Sequence, residues 1–393
     1  MEKLENLKSA LKNELSNILT YWKNNTPDNE NGGFIGHIDY PDIKRPEANK
    51  GIILNTRILW SFAAASNFYG DKRYEDLCKR SYNYLKSHFK DKEYGGVYWE
   101  VNFKGKPVNK RKQAYAQAFT IYALSEYYLF SNNEEAKNWA VEIFNLIEEH
   151  AFDVGHEGYI EAFNEDWSPI EDMRLSEKDD NEAKTMNTHL HILEAYTTLY
   201  KIYPVEKVKN ALEKLIQVFL EKFLHSNGHL NLFFDERWNL KSSVYSFGHD
   251  IETAWLLIEA AKVLNDPGFL KQAQDAALLI TNTFISEAID KDGAVMNEIN
   301  IKTGSMDTDR HWWQQAEAIV GLYYAFQITN DEKYINVAVK IWNFIEKKVI
   351  DHKYGEWFWL IDENGNYNPK DEKVGMWKCP YHNSRAAIQI NLD

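Results

Sequence analysis

One feature limits what this chain can fold into more than any other: a glycine-centred segment that returns six times. NGGFIGHID at Gly33, YGGVYWEVN at Gly96, HEGYIEAFN at Gly158, NGHLNLFFD at Gly228, DGAVMNEIN at Gly293 and YGEWFWLID at Gly355 lie 63, 62, 70, 65 and 62 residues apart. A fixed period of this kind marks a repeat architecture. Each segment reads as a short strand leading into a turn rich in Gly, Asn, Asp or Pro, as in FKGKPVN and DENGNYNPKD. The expected local form is a hairpin or a long ordered loop.

Between these segments the apolar period becomes helical, with spacings of three and four in LLIEAAKVL and VAVKIWNFIEKKV. Twelve helices are predicted, over about 3–24, 50–69, 72–90, 112–131, 133–149, 182–202, 205–224, 247–264, 267–285, 310–328, 331–349 and 377–390. Asp71, Asn133, Asp266-Pro267 and Asn330-Asp331 stand where a following helix should be capped. Helices 2–3, 4–5, 6–7, 8–9 and 10–11 are joined by very short links, while the strand-like loops join the others. The expected fold is all-α: one (α/α)6 barrel over 1–393, with hairpin-like loops on one rim. Odd helices carry charge runs, as in KNELSNILTYWKNN, and should form the outer ring. Even helices such as TAWLLIEAA are apolar all round and suit an inner ring buried on both sides.

Composition narrows the function. Lys+Arg 45 against Asp+Glu 59 gives a net charge of −14, a poor match for nucleic acid or an anionic membrane. Two cysteines, Cys78 and Cys379, exclude a disulfide framework and a Cys-rich zinc module. The opening MEKLENLKSALKNELSNIL lacks the apolar run of a signal peptide, so a cytoplasmic protein, monomeric or weakly dimeric, is expected. Aromatic residues reach 14%, and several Trp stand beside polar residues, as where sugar rings are stacked.

The unusual polar residues cluster near the starts of the even helices. These are Arg57, then Tyr115, then Asn187 and His191 four apart, then His249 and Glu252 three apart, then Trp313 and Glu317 four apart, and finally Trp377 and His382. In a barrel they converge on one cavity. His189 and His191 lie about 200° apart around a helix, so at most one points inward. His191, sharing a face with Asn187, is the inward residue, and His189 a packing histidine. Trp60, Trp255 and Trp342 read as core. Arg57 is open to an ordinary ion-pair reading, and Glu252 and Glu317 to one of orienting His or Arg neighbours. Histidine and carboxylate could ligate zinc, but no HExxH-like spacing supports a metal.

Three imidazoles suit proton transfer in both directions. An arginine can stabilise an oxyanion, and Trp313 and Trp377 offer faces to a sugar. The chain shows no nucleophile elbow, phosphate loop or dinucleotide fingerprint. The set reads as acid–base chemistry on a carbohydrate without a bound cofactor.

The strings NTRILW, QAYAQAF, MNTHLHILEAY, FGHDIETAWLL, WWQQAEAIVG and MWKCPYHNSRA resemble the N-acylglucosamine 2-epimerase family, and within it the branch acting on β-1,4-linked disaccharides. The resemblance runs from about Arg57 to Arg385 and implies an (α/α)6 barrel. It further implies C2 epimerisation of a reducing-end glucose to mannose through an open-chain sugar and a cis-enediolate. His249 and His382 would be the acid/base pair, His191 the residue assisting ring opening or holding the reacting oxygens, and Arg57 the enediolate's stabiliser. Tyr115, Asn187, Glu252, Trp313, Glu317 and Trp377 would orient the histidines or contact the sugar. The alternatives are a mannose/glucose epimerase or aldose–ketose isomerase of the same family, an inverting glycoside hydrolase and a non-catalytic sugar-binding protein. The polar loop holding Asp179 and Asp180 is long enough to act as a lid.

Overall fold

The computed structural model describes residues 1–392. Its helices are α1 (Glu2–Asn25), α2 (Ile52–Tyr69), α3 (Glu75–Tyr84), α4 (Ala114–Ser131), α5 (Glu134–Leu146), α6 (Met186–Ile202), α7 (Glu206–Val218), α8 (Phe247–Leu264), α9 (Pro267–Glu287), α10 (Trp312–Thr329), α11 (Glu332–Phe344) and α12 (Tyr381–Gln389). The even helices pack in succession, α2 on α4, on α6, on α8, on α10, on α12 and back on α2. Each odd helix packs outside an even one, α1 closing the ring against α12. The chain therefore forms an (α/α)6 barrel. Inner helices α2, α4, α8 and α10 are buried along nearly their whole length, whereas α7 buries a single stripe. No described helix is long and apolar enough to cross a membrane.

The tight inner-to-outer links have a local cause. Asn132, Asn265 and Asn330 end their helices with φ of 55°, 54° and 56°, a conformation that asparagine tolerates better than most residues. The next residue, Asn133, Asp266 or Asp331, caps the following helix by accepting a backbone N–H. Asp71 departs from expectation. It accepts from Arg73 N in a turn, and α3 begins only at Glu75. Four outer helices, α3, α5, α7 and α11, continue into one π turn over Leu85–Phe89, Ile147–Ala151, Phe219–Phe223 and Ile345–Val349. The first and last residue of each turn are buried.

The strand-like loops are stitched around the rim as well as folded on themselves. The strand entering each inner helix pairs antiparallel with the loop of the next repeat: Lys50–Gly51 with Glu100–Val101, Lys112–Gln113 with Ala162–Phe163, and Lys184–Thr185 with Phe233–Phe234. Val244–Ser246 pairs with Glu298–Asn300, and Arg310–His311 with Leu360–Ile361. Glu372–Val374 pairs with Ile38–Asp39 and joins the last repeat to the first.

A buried ion pair repeats beneath this belt. Lys50, Lys112, Lys184, Arg310 and Lys373 each begin or lie in a strand entering an inner helix. They meet Asp28, Asp91, Asp153, Asp290 and Asp351 of their own repeat at 2.8, 2.5, 2.8, 2.5 and 3.0 Å. The same aspartates accept backbone N–H groups that shape the glycine turns, as Asp91 does from Glu93 and Tyr94. The fourth repeat differs, with His225 and Tyr245 at these places and Tyr245 stacked on His229 at 4.3 Å.

Removing one partner leaves a buried charge unmatched, which costs ~3–5 kcal/mol. Asp91→Ala is therefore expected to lower the unfolding free energy by about that amount, with Asp91→Ala/Lys112→Met costing clearly less. Urea denaturation of the two variants measures this, and equal losses would remove the ion pair from the account.

Candidate active site

Counting from the entering strand orders the inner helices into layers. The residue five after Lys112, Lys184, Tyr245 or Arg310 is Gln117, His189, Asp250 or Gln315. Each holds the preceding glycine loop. Gln117 and Gln315 grip both backbone groups of Val97 and Val295, His189 Nε2 accepts from Tyr159 N at 2.9 Å, and Asp250 accepts from Leu230 N at 2.9 Å. His189 is thus the packing histidine of the pair. Positions three and seven share the opposite face. Position three gives Tyr115, Asn187, Gly248 and Trp313; position seven gives Arg57, Phe119, His191, Glu252 and Glu317.

The loops surround a cavity of about 570 Å³ whose wall includes Asn187, His249 and Trp313. Asp179 and Asp180 also stand on that wall. Arg57, Tyr115, His191 and His382 lie deeper, each buried to within a few per cent. Trp313 links the two levels, its ring 4.9 Å from that of His249 and 5.5 Å from that of His382. Trp377 is half-buried, 5.9 Å from Tyr115 and 6.0 Å from Trp99. It precedes α12, which starts at Tyr381, four residues later than the sequence predicts. Pro380 occupies the N-cap, and Gly375–Cys379 form a turn that lets Trp377 face Tyr115.

Below the histidines lies a charged core. The Arg385 guanidinium, fully buried on α12, meets Glu194 of α6, Glu252 of α8 at 2.5 Å and Glu317 of α10 at 2.6 Å. Glu317 Oε1 also accepts from His382 Nδ1 at 2.7 Å, and its other oxygen from Trp255 Nε1 at 3.0 Å. Glu194 accepts from His191 Nδ1 at 3.0 Å and from the Tyr381 hydroxyl at 2.5 Å. An ionised carboxylate only accepts, so Nδ1 of His191 and of His382 carries a proton, and in His382, which burial keeps uncharged, Nε2 is bare. Glu252 and Glu317 are fully buried and committed to Arg385 and the histidines, so they orient rather than form the cavity wall. His249 Nδ1 meets the Ser246 hydroxyl at 2.8 Å, a partner able to donate or accept.

The electrostatics follow from burial. It pushes His249 down to about 3, with the nearby His191 charge adding to the effect. Burial and then the charges of Arg57 and Arg385 hold His382 well below the ordinary histidine range. Glu252 is pushed up to about 7 by burial and the neighbouring Glu317. Burial works against Glu194 ionising, yet Arg385 and His191 outweigh it and lower the group to about 2. Glu252, Glu317 and His382 place ligand atoms within 4.8 Å of one another, but the Arg385 guanidinium already lies against both carboxylates where a cation would sit.

Arg57 contrasts with Arg385. It donates to the Tyr115 hydroxyl at 2.8 Å, approaches Cys379 Sγ at 3.8 Å, and lies over the rings of Phe119 and Tyr381 at 4.3 and 4.8 Å. No carboxylate pairs with it among the described residues, and its Nε has no hydrogen-bond partner there. Ser246, Glu194, Tyr381 and Arg385 acquire their roles only in the folded protein. Glu194 and Arg385 follow His191 and His382 by three residues, as Glu252 follows His249, and that spacing was the available signal.

A barrel of paired helices with histidines over a buried carboxylate core, an unpaired arginine and tryptophans at the mouth belongs to the sugar-converting class of α/α barrels. The profile of the N-acylglucosamine 2-epimerase (GlcNAc 2-epimerase) family matches residues 33–386, and the chain belongs to that family. It is 45% identical to the cellobiose 2-epimerase of Bacteroides fragilis over 98% of this chain and 99% of that relative. Cellobiose 2-epimerase from Bacillus thermoamylovorans superposes with a TM-score of 0.93 at 37% identity, covering 98% of each chain. A sugar epimerase from a ruminal bacterium gives 0.94 at 38%, covering 98% of this chain and 99% of that one.

A pH dependence follows from His249. Its value when folded, about 3, lies below the ordinary 6.5. Between those values the unfolded chain binds the proton and the native protein does not. Its contribution to stability is complete above pH 6.5 and shrinks as the pH falls towards about 3. His249→Asn should therefore lose stability less steeply over that window. Urea midpoints across the acid range test this, and a decline as steep as in the parent protein would contradict it.

Proposed function

We propose that this protein is a cellobiose 2-epimerase, interconverting glucose and mannose at the reducing end of β-1,4-linked disaccharides such as cellobiose and lactose. The observation that carries the reading is Arg57, a buried guanidinium without a carboxylate partner among the described residues. A site built this way keeps a cation ready for negative charge that appears only during reaction.

A C2 proton is acidic only when C1 is a carbonyl, so ring opening comes first. The O5–C1 bond breaks as O5 gains a proton from His191 and O1 gives its own proton back to that imidazole, which ends the step as it began it. One of His249 and His382 then removes the C2 proton, and the electron pair forms the C1–C2 double bond while O1 becomes anionic. Arg57 stabilises that oxygen. The other histidine, having taken a proton from solvent in the cavity, gives it to C2 from the opposite face while the first releases its proton to solvent; the C1 carbonyl re-forms and the ring closes on the epimer. Glu317 fixes the His382 tautomer, whereas Ser246 supports His249 with or without a proton on Nε2, as a reversible exchange requires. Asn187, Trp313, Tyr115 and Trp377 hold the sugar. The reaction draws on these side chains alone, with no cofactor, and the chain works as one catalytic unit.

The cavity of about 570 Å³ supports a disaccharide over a free hexose. Inverting hydrolysis needs two carboxylates roughly 6.5–9.5 Å apart with water between them. Glu252 and Glu317 instead share Arg385, at 2.5 and 2.6 Å.

Cellobiose incubated with the protein in ordinary water and separated by chromatography should yield the disaccharide ending in mannose. A ketose would move the protein to aldose–ketose isomerisation, and free glucose to hydrolysis. His249→Ala and His382→Ala should each lower turnover by ~10²–10⁴-fold with the helical circular dichroism unchanged. Arg57→Gln should reduce kcat by ~10²-fold or more and KM far less. Parent-like turnover in any of the three removes that residue from the mechanism.

A further inference from the structure

The fourth repeat holds its glycine loop by a device of its own. In the second and fifth repeats a neutral amide, Gln117 or Gln315, grips the loop, and Lys112 or Arg310 of the entering strand pairs with an aspartate beneath it. In the fourth, Tyr245 stands in the cation's place and Asp250 in the glutamine's. Asp250 Oδ1 accepts from Leu230 N at 2.9 Å, and its Oδ2 meets Nδ1 of His229 at 2.7 Å. The other ring nitrogen, Nε2, meets the Glu287 carboxylate at the end of α9 at 3.2 Å. The buried cation of this repeat is therefore an imidazole, the side chain whose charge changes nearest neutral pH.

The groups that face the ring are Asp250 from α8, Glu287 from α9 and the Tyr245 phenol, stacked on it from the entering strand. Its own loop adds His225, whose Nδ1 accepts from Asn227 N. Burial works against a charge on His229, yet the bonds to Asp250 and Glu287 and their charges outweigh it and raise the group above the ordinary histidine value. Burial pushes Asp250 up as well, against the pull of His229, so the two hold one proton firmly between them. Below the raised value the imidazolium bridges both carboxylates. As the pH rises through it the proton leaves, a bare nitrogen faces Glu287, and Asp250 stays buried without a counter-charge.

This clamp lies next to the chemistry. Asp250 follows His249 in the first turn of α8, and the loop beyond Leu230 carries Leu232 and Phe233, which form the cavity wall together with His249. His229 itself is not on that wall. We propose that His229 is a positioning residue for His249, clamping the first turn of α8 to the cavity-wall loop while it carries its proton, so that loss of that proton sets an alkaline limit on turnover. The proposal rests on His249 taking part in the epimerisation.

The test follows kcat on cellobiose from neutral to alkaline pH in the parent protein and in Glu287→Gln, with the His229 ring observed by NMR of the full chain labelled with ¹⁵N. Glu287 is half-exposed and outside the cavity. With its charge gone the imidazolium is less stabilised, so the His229 titration and the alkaline limb of kcat should move down together by about half a pH unit or more. In His229→Asn, whose amide donates to Asp250 without titrating, the limb should leave that pH; should this variant fail to fold, Glu287→Gln decides. A limb that stays in place while the His229 signal moves overturns the proposal, and so does a His229 signal that does not titrate in the pH range of the limb. If the parent protein epimerises nothing, the function fails separately from the clamp. The Leu230 amide and the His249 ring then decide: signals that shift with the His229 midpoint support the clamp, and stationary ones overturn it.

Discussion

The contact on which the site depends is the buried guanidinium of Arg385 against three carboxylates. Glu194, Glu252 and Glu317 come from three inner helices and Arg385 from a fourth, so one planar cation fixes the spacing of α6, α8, α10 and α12 at the level of the chemistry. Acidic groups crowded into a buried core repel one another, and burial with that repulsion pushes Glu252 up to about 7. Arg385 makes the cluster tenable, and its fork of donors suits several carboxylates at once. The Glu194 oxygen that Arg385 leaves free orients His191, and the Glu317 oxygen that it shares orients His382. The fold thus supplies histidines with defined tautomers at the base of a cavity, and burial keeps His249 and His382 neutral until a substrate arrives.

The two arginines of the core divide the work. Arg385 is matched by charge and serves structure; Arg57 is matched by aromatic rings, a phenol and a thiol, and holds its charge in reserve. This is electrostatic preorganisation: the cation is in place before the enediolate forms, so little reorganisation is needed at the moment of reaction. The rim plays a different part. Five buried cation–aspartate pairs and the strand belt hold the loops while the helices beneath carry the catalytic groups. The fourth repeat lacks that pair and is the one that carries His249.

Much of the barrel was legible in the sequence because its signals are local. The glycine segments mark turns that need positive φ, as at Gly33 and Gly96, and helical periodicity marks what lies between. The inner and outer rings separate by how far the apolar surface extends around each helix. The start of α12 was misplaced because MWKCPY has no polar cap and its apolar spacing mimics a helix, while Pro380 sets the true start. The pairing of loops across neighbouring repeats, and the lysines beneath them, escaped because Lys50 and Lys112 look like surface residues until their aspartates, some twenty residues earlier, are placed beside them. The candidate site was read in its first layer, from His191, His249, His382 and Arg57. The layer below was not, since Glu194 and Arg385 sit in otherwise ordinary helical sequence and acquire a role only when four helices meet.

The central claim is that C2 loses its proton to one imidazole and regains one from another. Proton NMR of cellobiose incubated with the protein in D₂O tests it most directly. The account predicts a reducing-end mannose whose C2 carries deuterium, because the returning proton comes from a group that exchanges with solvent. A mannose product that retains its original hydrogen at C2 would contradict it.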